Sequence, residues 1–423
     1  MTANPPHSEL GDIERAIPRP LRRDADFRRY WLARLISFAG SSVTIVAMPV
    51  LIYQTTHSSF WTSAVAFFEG LPYLIFGLLA GAIGDHANPR RIMIATDSLS
   101  AVLLLSVPLA YLAGVLTPVH ALAAAFGINA LFVFFDAANW GILPALVGRD
   151  RLSTARAAVA GSNNLAELLV PVAASASLAV LAAPFLIAVD AVSFAASALL
   201  IRGMTCPVRG EDSERRTVSR GHLISDVRNG LAFLWREPVV RVQTATWTVQ
   251  CFAGGLLVGQ MVPWANHTLR IPLEDGRLGA LYGAWAVGGV IATLVYPKFS
   301  RRLGDCRVTL IALPLSALGA VAVDVVHSWL LAMAVLVAWA VAFVCTNLAA
   351  MTSRQKLTPD ALQARVSTTG RMLSFGAGWP LGAAAGGGVA AAAGPQGALA
   401  LGAGLMVLTA IGVWFSPLRA GTV

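Results

Sequence analysis

The tract "LPYLIFGLLAGAI" runs into "GDHANPRRIM" (residues 84–93) and then, past Asp97, into "LSAVLLLSVPLAYLAGVL". Two near-continuous apolar stretches flank a knot of charge formed by Asp85, His86, Arg90 and Arg91. About 20 apolar residues span the hydrocarbon core of a bilayer as a helix. A backbone inside lipid must bond its own polar groups, so only helices and closed barrels cross. Barrel strands would alternate in polarity over about ten residues, and these stretches do not. Similar tracts recur along the chain, which is 56% hydrophobic and only 13% charged, against about 25% charged in soluble domains. The fold class expected is an all-α polytopic membrane protein.

The apolar pattern predicts twelve transmembrane helices. They lie near residues 30–54, 59–83, 91–113, 118–140, 157–180, 184–201, 239–262, 278–299, 307–324, 328–350, 366–392 and 396–416. The tract 202–238 interrupts them with a polar stretch, "RGEDSERR", and an amphipathic one, "LISDVRNGLAFLWRE". In the latter, Ile224, Val227, Leu231 and Leu234 recur at helical spacing, which suits a membrane-surface helix or one packed under the bundle. The expected organisation is a tail at 1–29, a six-helix bundle at 30–201, a linker at 202–238, a second six-helix bundle at 239–416 and a tail at 417–423.

Charge placement sets the expected orientation. Of 31 lysines and arginines, only Arg270 and Arg277 fall in loops on the side opposite the termini. The positive-inside rule then puts both termini and the linker in the cytoplasm. The net charge of +9 faces anionic lipid headgroups, which removes the reason to invoke nucleic acid. The first 29 residues lack an apolar core, so no cleavable signal peptide is expected. Cys206, Cys251, Cys306 and Cys345 lie too far apart for metal-ligand or redox spacing and read as structural thiols.

The two halves echo each other. "LVGRDRLSTARA" (146–157) follows the fourth helix and "KLTPDALQARVS" (356–367) the tenth, aligning Asp150 with Asp360 and Leu152 with Leu362 at an offset of 210. Pro171 in the fifth helix aligns with Pro380 in the eleventh at an offset of 209. The opening knot has a weaker counterpart in "FSRRLGDCR" (299–307). Such parallel repeats are related by an axis along the membrane normal. The pattern resembles the major facilitator superfamily. Its signature between helices two and three, roughly G-x-x-x-D-R-x-G-R-R, is matched at Gly81, Asp85, Arg90 and Arg91, with His86 replacing the usual Arg and Asn88 the usual Gly. "LISFAGSSVTIVAMPVLIYQTTHSS", "ILPALVGRDRLSTARA", "VDAVSFAASALL" and "RNGLAFLWREPVVR" resemble its drug- and siderophore-exporting branch. That branch comprises transmembrane secretion effectors, including macrolide-efflux and enterobactin-exporter-like proteins.

The resemblance implies that the charged knot is a gating loop. Asp85 would face the positive N-terminus of helix eleven, while Arg90 and Arg91 would pair with acids or phospholipid. The alternative is a plain topology anchor. Charged groups within a membrane span are costly and mark functional or paired positions. Asp97 and Asp136 fall toward the cytoplasmic side, with Arg34, Arg156 and Arg371 at similar depth as gate partners. Asp190 and Asp324 fall toward the other side, Asp324 at the boundary. Asp190 resembles a recurrent family Asp, with a structural or a transport role.

Glu69 and Glu167 lie deepest and have no cation at their depth in the first half. They are the leading proton-coupling candidates, ahead of Asp136 and Asp190. Glu167 shares a polar stripe with Asn163 and Asn164. The second half offers Trp247, Phe252, Trp285, Trp339, Phe343 and Trp379 instead. From these, Trp285, Trp339, Phe343 and Trp379 join Asn163 and Asn164 as substrate-pocket candidates. The small residues of "GAGWPLGAAAGGG" would let helix eleven approach its neighbours closely. In drug exporters a Gly-Pro motif on helix five is associated with antiport, but helix five here reads "LLVPVAAS" and lacks the glycines.

No metalloprotease, nucleophile-elbow or nucleotide-loop motif occurs, so neither an enzyme nor a cofactor or metal site is expected. The expectation is a monomeric secondary transporter in the cytoplasmic membrane that exports an amphipathic small molecule by proton antiport. The alternatives are a metabolite importer or facilitator, or a non-transporting receptor or assembly protein.

Overall fold

A computed structural model describes residues 21–148, 150–205, 228 and 230–419. Among these the secondary structure is wholly helical. In chain order α1 is Ala25–Thr56, α2 Ser59–His86, α3 Pro89–Leu112, α4 Pro118–Val147, α5 Leu152–Ser177 and α6 Ala183–Arg202. The second half holds α7 (Pro238–His267), α8 (Gly276–Leu303), α9 (Asp305–Val325), α10 (Trp329–Leu357), α11 (Asp360–Arg371), a π-helical turn (Met372–Gly378) and α12 (Trp379–Trp414). The α12 run breaks at Gly394, whose φ of 74° reverses the chain ahead of Pro395. The eleventh crossing is thus α11, the π turn and α12 as far as Gly394, and α12 crosses a twelfth time beyond it.

Eight of these helices are long and apolar enough to span by length and composition alone, the last of them crossing twice. The other three are α2, α5 and α7, whose 28, 26 and 30 residues also reach across a bilayer at ~1.5 Å per residue. Twelve crossings result among the described residues. Apolar side chains also clothe the outside. Val102, Leu105, Leu109 and Leu112 recur every three or four residues on α3 and are all exposed, as a lipid-facing stripe requires.

Caps explain where helices begin. Asp24 accepts the Asp26 and Phe27 amides, so α1 starts five residues ahead of the expected position 30. The charged knot is almost entirely helical. α2 continues through His86, Ala87 is extended, Asn88 accepts the Arg90 and Arg91 amides, and Pro89 opens α3. Proline at the first helical position loses no hydrogen bond there, and an Asn cap satisfies orphan amides. The sequence pattern had placed a longer loop at 84–90.

The first half packs α1 on α5 and α6, α2 on α4, and α3 on α4 and α6. Six crossings later the pattern repeats, with α8 on α10, α9 on α10, and α12 on α7 and α9. The eleventh crossing supplies part of the α7 contact. A Cβ added at Gly378 would lie 2.7 Å from the Thr248 carbonyl oxygen, and one at Gly254 would lie 2.9 Å from the Trp379 ring. Absent side chains permit this close approach. Residues 230–236 are helical, and Leu234 is buried with Val240 and Val366 under the second half. Trp235, by contrast, is 71% exposed. The amphipathic segment therefore packs beneath the bundle over these residues. Ile224 and Val227 lie outside the described residues, as do residues 1–20 and the "RGEDSERR" stretch. Cys251, Cys306 and Cys345 are buried, and Cys206 lies outside the described residues.

Candidate functional site

The starts of α1 and α7 and the ends of α6 and the twelfth crossing define a basal face, opposite a distal face. The halves meet through α2 against α7 and the eleventh crossing, and through α5 against α8. At the distal end this contact is tight. The Gln260 amide donates to Ser63 Oγ at 2.6 Å, and Ser175 Oγ donates to the Asp275 carbonyl at 3.0 Å. Added Cβ atoms at Gly259 and Gly387 would lie 2.8 and 3.0 Å from Ser63. Asp275 caps α8 by accepting the Arg277 amide at 2.8 Å, and the Arg277 side chain lies 2.6 Å from its carboxylate. That guanidinium, then the capping amide, hold the Asp275 carboxyl below its ordinary value.

In the basal half a cavity of about 580 Å³ separates the halves. Tyr73 of α2 forms one wall. The other is built from Trp247 of α7, the last turns of α10 around Arg354, and the start of the eleventh crossing at Gln363, Arg371 and Phe375. Aromatic rings line and back this wall. Trp247 meets Phe343 at 5.0 Å and Phe375 at 5.9 Å between centroids, edge to face. Trp285 meets Trp339 and Phe343 at 5.4 and 5.3 Å, and Trp379 lies 6.1 Å from Phe375. Four expected pocket residues, Trp285, Trp339, Phe343 and Trp379, thus belong to one cluster, but not all of them face the cavity. Trp339 is 3% exposed, and its indole N–H donates to Ser316 Oγ at 3.0 Å. That bond holds its ring behind the wall of this cavity, which it does not line. Phe343 is likewise buried behind Trp247. Trp247 and Phe375 reach the cavity, and the sequence reading had not singled out Phe375.

Between the halves Arg371 Nη1 lies 3.5 Å from Asp136 Oδ2, joining the eleventh crossing to α4. Of the three arginines expected near Asp136 and Asp97, Arg371 makes this pair. Arg34 is buried with its guanidinium 5.0 Å over the Phe135 ring, within electrostatic reach of Asp97 but not ion-paired with it. Arg156 is exposed on α5 and acts electrostatically on Tyr30. Asp97 is 1% exposed, with one carboxylate oxygen unpartnered. Asp190 is enclosed at the α1–α6 contact, where Thr44 Oγ1 donates to it at 2.5 Å and Ser193 Oγ at 3.0 Å. Gly40 leaves the room for this arrangement.

Glu69 sits on α2 between two landmarks. Ser63 of the distal seal lies six residues to one side, and Tyr73 of the cavity wall four residues to the other. Glu69 has no hydrogen bond or ion pair among the described residues. Across the halves it acts electrostatically on Tyr282 of α8, whose hydroxyl is buried and unpartnered. Glu167 is exposed. At ~100° per residue, it shares a face of α5 with Arg156 and Asn163. Leu165 and Leu169, each 56% exposed, lie on another face, while Leu168, Pro171 and Val172 meet α8. Asn163 Oδ1 is buried and unpartnered, and Asn164 is half-buried.

Neither gating-loop arginine pairs with an acid among the described residues. Arg90 donates to the carbonyls of Ile201 and Arg202 at 3.2 and 2.6 Å, which satisfies the orphan carbonyls ending α6. Arg91 is exposed. The surroundings of Gly81 and the Asp85 side chain lie outside the described residues. The counterpart knot in the second half is described. Asp305 is fully buried, accepts from Tyr296 Oη at 2.7 Å and Ser300 Oγ at 2.5 Å, and pairs with Lys356 at 3.0 Å. The sequence reading missed this tie, because Lys356 lies outside the knot and was counted only as a cytoplasmic charge.

Two six-crossing halves with matching neighbour patterns, sealed at one end over a cavity at the other, define a major facilitator transporter. Within that class the chain belongs to the transmembrane secretion effector family, which it matches over residues 18–423. It is 29% identical over 398 residues to the multidrug efflux pump Tap of Mycolicibacterium fortuitum, covering 92% of this chain and 95% of that pump. To Tap of Mycobacterium bovis (strain BCG / Pasteur 1173P2) it is 27% identical over 283 residues, covering 57% of this chain and 65% of that one. Among solved structures, the nucleoside transporter NupG superposes with a TM-score of 0.75 at 13% identity, over 92% of this chain and 98% of that one. A bacterial homologue of the iron transporter ferroportin in an inward-facing state gives 0.72 at 14% identity, over 94% and 99%. At such identities these likenesses speak for the fold alone.

Proposed function

We propose that this chain is a secondary active exporter that carries an amphipathic small molecule out across the cytoplasmic membrane in exchange for protons. The basal face is then cytoplasmic, in line with the positive charge on that side, and the arrangement described is the inward-facing state of a monomer. The two six-helix bundles, residues 30–201 and 239–416, rock about the α2–eleventh-crossing and α5–α8 contacts. The linker at 202–238 stays on the cytoplasmic side. Similarity to the multidrug efflux pump Tap supports export, and the aromatic lining at Trp247 and Phe375 suits an apolar body.

The position of Glu69 carries the proton-coupled reading. A carboxyl group without a cationic partner lies at the boundary between seal and cavity, where a change of state switches its access to water. With the distal side open it takes a proton from outside. With the cytoplasmic side open it gives that proton up as substrate enters. Glu167, on the polar face of α5, is the second coupling position. Asp136 serves the inner gate with Arg371, and Asp85 the latch at the basal end.

The test is accumulation of a fluorescent amphipathic dye in cells expressing the chain. Expression should lower accumulation, and a protonophore should abolish the difference. A difference that survives full collapse of the proton gradient, or raised accumulation on expression, would overturn the reading.

A further inference from the structure

Arg354, in the last turns of α10, is a buried cation that the transport cycle proposed above leaves unused. It is 8% exposed and lines the cavity. Its guanidinium occupies the space that a side chain at residue 370 would fill, so Gly370 is what admits it. Its one described hydrogen bond runs from Nε to the Ala350 carbonyl of its own helix at 3.4 Å, at the long limit for such a bond. No acid lies within ion-pair distance of it among the described residues. A guanidinium offers five donors in a planar fork, and here most of them have no acceptor.

The surroundings sharpen the point. Arg371 lines the same cavity, and its pair with Asp136 is long and partly exposed, at 3.5 Å. The Thr358 hydroxyl, also on the cavity wall, is buried and unpartnered. No carboxylate is among the described residues lining the cavity. Trp247 and Phe375 supply flat apolar surface beside these donors. A cation entering here would meet two like charges. A planar oxyanion would meet a free fork, and guanidinium binds carboxylates bidentately.

We infer that this wall is an anion subsite, in which Arg354, aided by Arg371 and Thr358, takes the carboxylate of an amphipathic substrate whose planar apolar part lies against Trp247 and Phe375. The inference rests on the exporter reading and narrows its substrate class to amphipathic carboxylates.

The experiment uses the purified full chain in nanodiscs of neutral phosphatidylcholine, with binding read from quenching of tryptophan fluorescence. The probes are 2-naphthoate and its uncharged isostere 2-naphthamide. The wild type should bind the acid at least about tenfold more tightly than the amide, since charge-assisted bonds are roughly twice as strong as neutral ones. Arg354→Gln should bring that ratio close to one, and Arg354→Lys should restore part of it. Equal affinity for acid and amide in the wild type would overturn the inference, and that result needs no variant to fold. An unchanged ratio in a folded Arg354→Gln protein would overturn it as well. A second arm adds phosphatidylglycerol to the nanodiscs. Displacement of naphthoate by that lipid would reassign the subsite to a headgroup phosphate and so overturn the substrate assignment, while undiminished naphthoate binding supports it. Failure here stays distinct from failure of the exporter reading. If the dye is exported but the acid is not preferred, only the anion subsite falls. If amphipaths are neither bound nor exported, the exporter reading falls too.

Discussion

Gly279 on α8 lies against the backbone of α5 in the distal seal. A Cβ there would collide with the Pro171 carbonyl oxygen and would stand 3.0 Å from its carbon. Valine adds two methyl groups beyond that Cβ. Overpacking of a tight contact costs about 1–3 kcal/mol. The cost falls on the state in which α5 and α8 touch and is relieved when the distal ends separate. Gly279→Val should therefore move the equilibrium toward the outward-open state by about 5- to 150-fold. Spin labels on Val180→Cys and Glu274→Cys, both exposed near the distal face, would report the change by pulsed dipolar spectroscopy in a background free of native cysteines. The variant should gain a longer-distance population. Gly388→Val is the control, because a Cβ there meets nothing within 4 Å, and it should leave the distribution unchanged. An unaltered distribution in well-folded Gly279→Val, or an equal shift in Gly388→Val, would refute the assignment of this contact as the outer gate.

Three further outcomes are expected. Asp190→Ala strands the buried Thr44 hydroxyl and should cost about 1–3 kcal/mol of stability, read as a lower melting temperature. Turnover per folded molecule should persist, and complete loss of coupling in a stable variant would put Asp190 in the transport path instead. Asp275 has a lowered native value, so its stabilisation is present above the unfolded carboxyl value near 3.9 and is lost as pH falls through the native one. The stability difference between wild type and Asp275→Asn should thus stay constant from pH 8 to about 5 and shrink only below about 4. A decline beginning near pH 6 would contradict this account of the cap. An introduced Ser213→Cys in the linker should be labelled in intact cells by permeant reagents only, and rapid reaction with an impermeant one would invert the proposed topology.

Much of the architecture was legible because membrane spans are written as long apolar runs and because the repeat preserves features such as Pro171 and Pro380. Helix ends were less so. Asp24, Asn88 and Pro89 set them through caps that polarity alone does not weigh, and the charged knot proved helical through His86. At the site, opposite charges at matching depth anticipated the pairing of Arg371 with Asp136. Charge placement could not tell which arginine would make it, since Arg34 went to an aromatic face. Aromatic residue type grouped Trp339 with the pocket, whereas the structure keeps it off the wall of the cavity between the halves and bonds it to Ser316. The seal itself was opaque, because Ser63, Gly259, Gln260 and Gly279 carry no charge and act through the close approach of helices distant in sequence. Arg354 was read as one more positive charge on the cytoplasmic side, because its burial depends on a glycine sixteen residues downstream.

The most direct test of proton-coupled export is uptake by purified protein in liposomes. With the protein oriented basal face out and the lumen acidified, the proton gradient runs outward and an amphipathic fluorescent substrate should concentrate inside. Glu69→Gln should still bind substrate and equilibrate it downhill while failing to concentrate it. Glu167→Gln, tested alongside, shows whether the second carboxyl shares the task. Uphill uptake by Glu69→Gln and Glu167→Gln equal to that of the wild type would contradict the coupling assignment. Wild-type uptake indifferent to the pH gradient would contradict proton antiport itself.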